Sequence, residues 1–82
     1  MTVTILYFAA LRELLGIREE LVALRGDVLT VQDLAAQLVE RHPALRPHLA
    51  SVRFAVNESF VDTNASVNAG DTVALIPPVS GG

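Results

Sequence analysis

The sequence contains no cysteine and no lysine, and only 18% of its residues are charged. Without cysteine there is no disulfide framework and no thiol nucleophile, so a reducing cytoplasm is the expected compartment. The absence of lysine has two readings. One is compositional bias, as from a GC-rich genome. The other is that a carboxyl group activated at the chain's own terminus meets no ε-amine on its own chain, a consequence that holds under either reading. The six basic residues are all arginines, scattered along a chain of net charge −3. Phosphate-backbone binding needs a clustered basic face, so nucleic acid is not an expected partner. No apolar run is long enough to span a membrane. Arg12 interrupts the N-terminal apolar stretch, and no secretory signal is expected.

What is present is apolar: 51% of 82 residues, in a chain sized for one small domain. A domain this small cannot hide so much apolar surface, which predicts an exposed patch that a partner covers. Val3–Phe8 reads as a strand, followed by a short helical stretch that Gly16 ends. Glu20–Leu24 reads as a second strand and Gly26-Asp27 as a turn. The clearest helix starts at the N-cap Thr30, with Asp33 three residues on. Val31, Leu34, Ala35, Leu38 and Val39 recur at helical spacing, and Pro43 closes it. Ala44–Ala50 could add a short helical turn. Strands follow at Val52–Val56, Ser59–Val61 and Thr72–Ile76, separated by turns at Asn57-Glu58 and Asn68–Asp71.

This order predicts an α+β domain, best matched by a ubiquitin-like β-grasp in which a mixed sheet packs on one main helix. Residues 1–76 would form the domain and 77–82 a flexible, extended C-terminal tail. Strand alternation sets Val3, Ile5, Tyr7, Val73 and Leu75 towards the helix. It sets Leu6, Phe8, Ala74 and Ile76 on the opposite face, where Phe60 can join them. Either that face is the exposed patch, or the short helix after Phe8 or a loop covers it.

Other chemistry finds little support. His42 and His48 are the only histidines, each beside a proline in an expected surface segment, and no metal site is expected. Ser51, Ser59, Ser66 and Ser80 lie outside any nucleophile-elbow context. Glu13, Glu19, Glu20 and Asp33 read as solvated faces rather than an acid/base pair. No glycine loop leads into a helix to cradle phosphate. The chain lacks the parts of a self-sufficient enzyme.

The ending Pro77-Pro78-Val79-Ser80-Gly81-Gly82 stands apart. Two prolines fix φ and remove two donors, so a strand ladder should stop there. Two residues without side chains then place the α-carboxylate on a thread thin enough for a narrow tunnel. From Pro77 the six residues could reach roughly 20 Å at about 3.3 Å each. A frayed end is the plain alternative, but frayed ends are usually polar or mixed. This one leaves an apolar strand through a rigid Pro-Pro element.

The segment Phe8-Ala9-Ala10-Leu11-Arg12-Glu13-Leu14, then Ala55-Val56-Asn57, then Gly70-Asp71-Thr72-Val73-Ala74-Leu75-Ile76 running into the Pro-Pro and Gly-Gly ending, closely resembles the small subunits of molybdopterin synthases. The resemblance implies a β-grasp sulfur carrier. An adenylating sulfurtransferase related to ubiquitin-activating enzymes would use ATP to activate the Gly82 carboxylate, and the chain itself would bind no cofactor. A thiocarboxylate at Gly82, with Gly81 as its slender neighbour, would then enter the large subunit and give sulfur to cyclic pyranopterin monophosphate. The family's assembly is two small and two large subunits. Phe8, Phe60 and Ile76 match apolar contacts to the large subunit, and Pro77, Pro78, Val79 and Ser80 the inserted segment. Position 76 is aliphatic where an aromatic is common, and Ser80 stands where alanine is frequent. Related β-grasp carriers serve thiamine, cysteine or transfer-RNA thiolation, or modify proteins. These are the alternatives.

Overall fold

The computed structural model describes residues 1–28 and 30–78. The elements are β1 (Thr2–Tyr7), α1 (Ala9–Leu15), β2 (Glu19–Ala23), α2 (Val31–Arg41), a 3₁₀ segment (Pro43–Ser51), β3 (Arg53–Val56), β4 (Ser59–Val61) and β5 (Thr72–Ile76). The five strands form one mixed sheet in the order β2-β1-β5-β3-β4. The first and last strands are parallel neighbours at its centre, with Ile5 opposite Val73 and Tyr7 opposite Leu75. The remaining pairs are antiparallel. This is the β-grasp, with α2 held against one face of the sheet.

Local chemistry sets the element ends. Thr30 and Asp33 form a reciprocal capping box: the Asp33 N–H donates to Thr30 Oγ1 at 3.2 Å, and the Thr30 N–H donates to Asp33 Oδ2 at 3.1 Å. Two otherwise orphaned donors of α2 are thereby satisfied, and Asp33 is a structural cap rather than part of a solvated face. Gly16 ends α1 in the left-handed region at φ 74°, where a Cβ would be strained. Pro43 opens the 3₁₀ segment after α2 stops at His42, so the short helical turn expected at Ala44–Ala50 is longer and tighter. The second strand begins and ends one residue earlier than its sequence pattern suggests, and the third begins one residue later.

The β3–β4 hairpin turns through Asn57 and Glu58, both with positive φ (50° and 73°). That geometry matches the right-handed twist of the flanking strands, but it suits Asn-Gly better than Asn-Glu. Glu58→Gly is expected to stabilise the domain by about 1 kcal/mol by relieving the left-handed strain. The melting temperature should rise by about 4–8 °C in thermal unfolding.

The core lies between the sheet and α2. Val3, Ile5, Tyr7, Val22, Phe54, Val73 and Leu75 from the strands meet Val31, Leu34, Ala35, Leu38 and Val39, and all are buried. Leu11 draws α1 into this core and Leu45 draws in the 3₁₀ segment. Full burial of a Leu, Ile or Val contributes roughly 1.5–3 kcal/mol, so this inner face is what holds the fold.

One edge of the core ends in a polar cluster. The Tyr7 hydroxyl donates to Glu20 Oε2 at 2.7 Å, His42 Nε2 lies 2.7 Å from the same oxygen, and Arg41 Nε donates to Oε1 at 2.8 Å. The Tyr7 and His42 rings meet edge to face at 6.0 Å. Glu20 is therefore not on a solvated face: its side chain is 12% exposed and ties β1, β2 and the end of α2 together. His42 is half-buried rather than on a surface segment. Burial pulls the Glu20 carboxyl upward, but the hydrogen bonds from Tyr7, His42 and Arg41 outweigh it and hold the group below its ordinary value. Burial, with the bond to Glu20, pushes the Tyr7 hydroxyl well above its ordinary range.

The two shifts act at opposite ends of the pH scale. The Glu20 contribution is present above about pH 4.3, the unfolded value, and is lost as pH falls through the lower folded value. The Tyr7 contribution is present below about pH 10 and is lost as pH rises above it. Glu20→Gln is expected to cost about 1–2 kcal/mol at pH 7 and to flatten the acid limb of a stability-versus-pH profile from urea unfolding.

Candidate docking face and tail root

The face of the sheet away from α2 is built in rows. In register across four strands stand Leu6, Ala74, Ala55 and Phe60. Ala55 and Ala74 are small and sit low between taller neighbours, so the middle of the face dips. Leu6, Phe8, Phe60 and Ile76 stand around the dip and help to enclose a recess of about 250 Å³. Glu58 and Thr72 supply its polar rim. Phe8 is 45% exposed and Phe60 56%. Among the described residues neither α1 nor a loop covers this face: Leu11 turns α1 into the core on the other side, and Phe8 and Phe60 stay exposed.

The apolar surface grades towards one end. Leu21, Thr4 and Thr72 lie at the end of this face farthest from the tail, where two threonines make it more polar. At the other end, the Phe8 N–H bonds to the Leu75 carbonyl at 3.3 Å, which holds Phe8 beside the last strand. Ile76 is paired with Arg53, and Pro77 and Pro78 follow directly. The apolar face and the root of the tail are thus one continuous surface.

The structure brings Phe8, Phe60 and Ile76 onto this one face, beside Pro77 and Pro78. Val79, Ser80, Gly81 and Gly82 lie outside the described residues. Among the described residues no cluster of His, Asp or Glu could hold a metal ion. None of their helices is long and apolar enough to cross a membrane.

Two features escaped the sequence. The Glu20 cluster could have been found from strand parity, since Glu20 shares the inward side of β2 with the buried Val22. Arg53 is the other. Its guanidinium lies over the Phe60 ring, 4.1 Å from the centroid, a cross-strand contact that only the register reveals.

Among the described residues, a ubiquitin-like β-grasp presents an open apolar face that runs into Pro77 and Pro78. The chain belongs to the ThiS family, whose model matches residues 5–82. Among individual relatives, it is 40% identical to the molybdopterin synthase sulfur carrier subunit of Chlamydomonas reinhardtii, with both chains covered in full. It is 39% identical to the protein of the same name from Mycobacterium tuberculosis, over 98% of this chain and 96% of that one. Of solved structures, SAMP1 from Haloferax volcanii superposes with a TM-score of 0.88 at 33% identity, with both chains fully covered.

Proposed function

We propose that this chain is the sulfur-carrier subunit of a molybdopterin synthase and works through the carboxyl group of Gly82. The observation that carries the reading is the continuity of the apolar face, from Leu6 through Phe8 and Ile76, with the Pro77-Pro78 root of a Gly-Gly ending. The full-length likeness to sulfur carrier subunits supplies the specific chemistry.

A carboxylate is a poor electrophile, so it must first be activated. An adenylating enzyme joins the Gly82 carboxylate to the α-phosphate of ATP and releases pyrophosphate. The terminal sulfur of a donor persulfide attacks the acyl carbon and displaces AMP, giving an acyl disulfide. A second thiol then forms a disulfide with the donor's inner sulfur, breaking the S–S bond and releasing the thiocarboxylate. The thiocarboxylate sulfur is a nucleophile held on the protein's own main chain, which is how a chain without cysteine carries reactive sulfur. The tail, residues 77–82, enters the large subunit and passes the sulfur to cyclic pyranopterin monophosphate, while water restores the carboxylate. The apolar face rests on the large subunit through Phe8, Phe60 and Ile76, in an assembly of two small and two large subunits. The work is cytoplasmic. This chain positions the terminus and binds no cofactor itself.

Incubation with ATP, the adenylating enzyme and a sulfur source should add about 16 Da to the intact chain, the difference between sulfur and oxygen. An unchanged mass with the cognate enzymes would refute the proposal. A second reading draws on the likeness to SAMP1, a small archaeal modifier protein by name. A protein modifier of this kind would leave isopeptide adducts on other proteins, visible after tryptic digestion as target lysines that carry residues 54–82 of this chain, since Arg53 is its last cleavage site.

A further inference from the structure

Arg53 stands in the row of the outer face nearest the tail, directly opposite Ile76 on β5. On its other side, the antiparallel register places Asp62 across from it, one step beyond the Phe54–Val61 pair. A cross-strand carboxylate is the ordinary partner for an exposed arginine. Arg53 does not take it. Among the described residues it makes no ion pair, and its guanidinium lies over the ring of Phe60 instead. Arg25 and Arg41 differ: both are engaged by carboxylates, Arg25 by Glu40 and Arg41 by Glu20.

Stacking on an aromatic face uses the guanidinium's flat surface and leaves the N–H groups on its edge available. It also restrains a long side chain before any partner arrives, so less freedom is lost on binding. Arginine packed on an aromatic ring at the border of an apolar recess is the composition that concentrates binding energy at protein interfaces. The guanidinium edge is suited to a carboxylate, which it can hold through two parallel hydrogen bonds.

We infer that Arg53, braced on Phe60, is a selective anchor of the docking face that receives an Asp or Glu carboxylate of the large subunit beside the entering tail. The inference rests on the large-subunit reading above. The apolar recess supplies area to any hydrophobic partner, whereas Arg53 rejects one that places an apolar or basic group opposite it. Selection of this kind acts through the cost of a mismatched charge as well as through the gain of a matched one.

The test measures the dissociation constant of the complex with the cognate large subunit at low and high salt. Arg53→Gln keeps a planar side chain but no charge, and should bind about 10-fold more weakly at low salt. It should also show a weaker salt dependence than the unaltered chain. Arg53→Lys keeps the charge without the fork and should fall between the two. Arg53→Glu should bind about 100-fold more weakly. Unchanged affinity and salt dependence in both Arg53→Gln and Arg53→Glu overturns the inference. Phe8→Asp, measured in parallel, separates the two claims. If it destroys binding while the Arg53 variants do not, only the anchor fails. If neither Phe8→Asp nor the Arg53 variants weaken the complex, the docking reading fails as well.

Discussion

Deleting Gly82 is expected to eliminate sulfur transfer while leaving thermal unfolding unchanged. The deletion moves the terminal carboxyl back by about 3.3 Å, one extended residue. Misplacing a reacting atom by even 1 Å can cost about 10²-fold, so a displacement of this size should remove activity rather than reduce it. Stability should not follow, because the described core ends at Leu75. Single-turnover assays with the large subunit and chemically prepared thiocarboxylate isolate the transfer step from activation. Substantial residual transfer by the shortened chain would mean that the reacting group is not the terminus. Appending one residue after Gly82 should be equally damaging, since the carboxyl then lies too far forward.

Phe8→Asp should have opposite effects on partner binding and on local structure. Phe8 occupies the N-cap of α1 without a side-chain capping bond, and its φ of −111° and ψ of 153° suit a capping residue. Asp is among the best residues there, which offsets the apolar contact given up by a ring that is already 45% exposed. Circular dichroism and the melting temperature should therefore change little. Binding should weaken by about 2–4 kcal/mol, roughly 30- to 700-fold in Kd, because a charge would be buried without a partner. Ile76→Asp is a poorer probe, since Arg53 lies opposite and could pair with the new carboxylate. Leu75→Asp supplies the contrast: one residue along, the side chain points into the core, and the domain should unfold. Loss of fold in Phe8→Asp would place Phe8 on the wrong face.

Much of this arrangement was legible because local rules and tertiary packing agree. The capping box at Thr30 and Asp33, the left-handed Gly16 and the period of Val31, Leu34, Ala35, Leu38 and Val39 all specify α2 or its neighbours without outside help. Alternation alone separated Ile5, Tyr7, Val73 and Leu75 from Leu6, Phe8, Ala74 and Ile76, since a strand has only two sides. Whether α1 covered the second group was not legible. Its direction depends on Leu11 reaching the core, which is a tertiary fact. Glu20 misled because a carboxylate normally argues for solvent, and its partners come from positions 7, 41 and 42. Arg53 was silent for the same reason: a residue's choice between Asp62 and Phe60 is settled by register and ring geometry.

The place of β5 between β1 and β3 has a consequence for biogenesis. Four strands are synthesised before it, yet none of them can close the sheet, because the gap at its centre waits for residues 72–76. Residues that far apart in sequence meet late, so β1 and β3 gain their common central partner only once residues 72–76 are available. The same strand that completes the sheet leads directly into Pro77 and Pro78, so one short segment both closes the sheet and sets where the docking face meets the tail root.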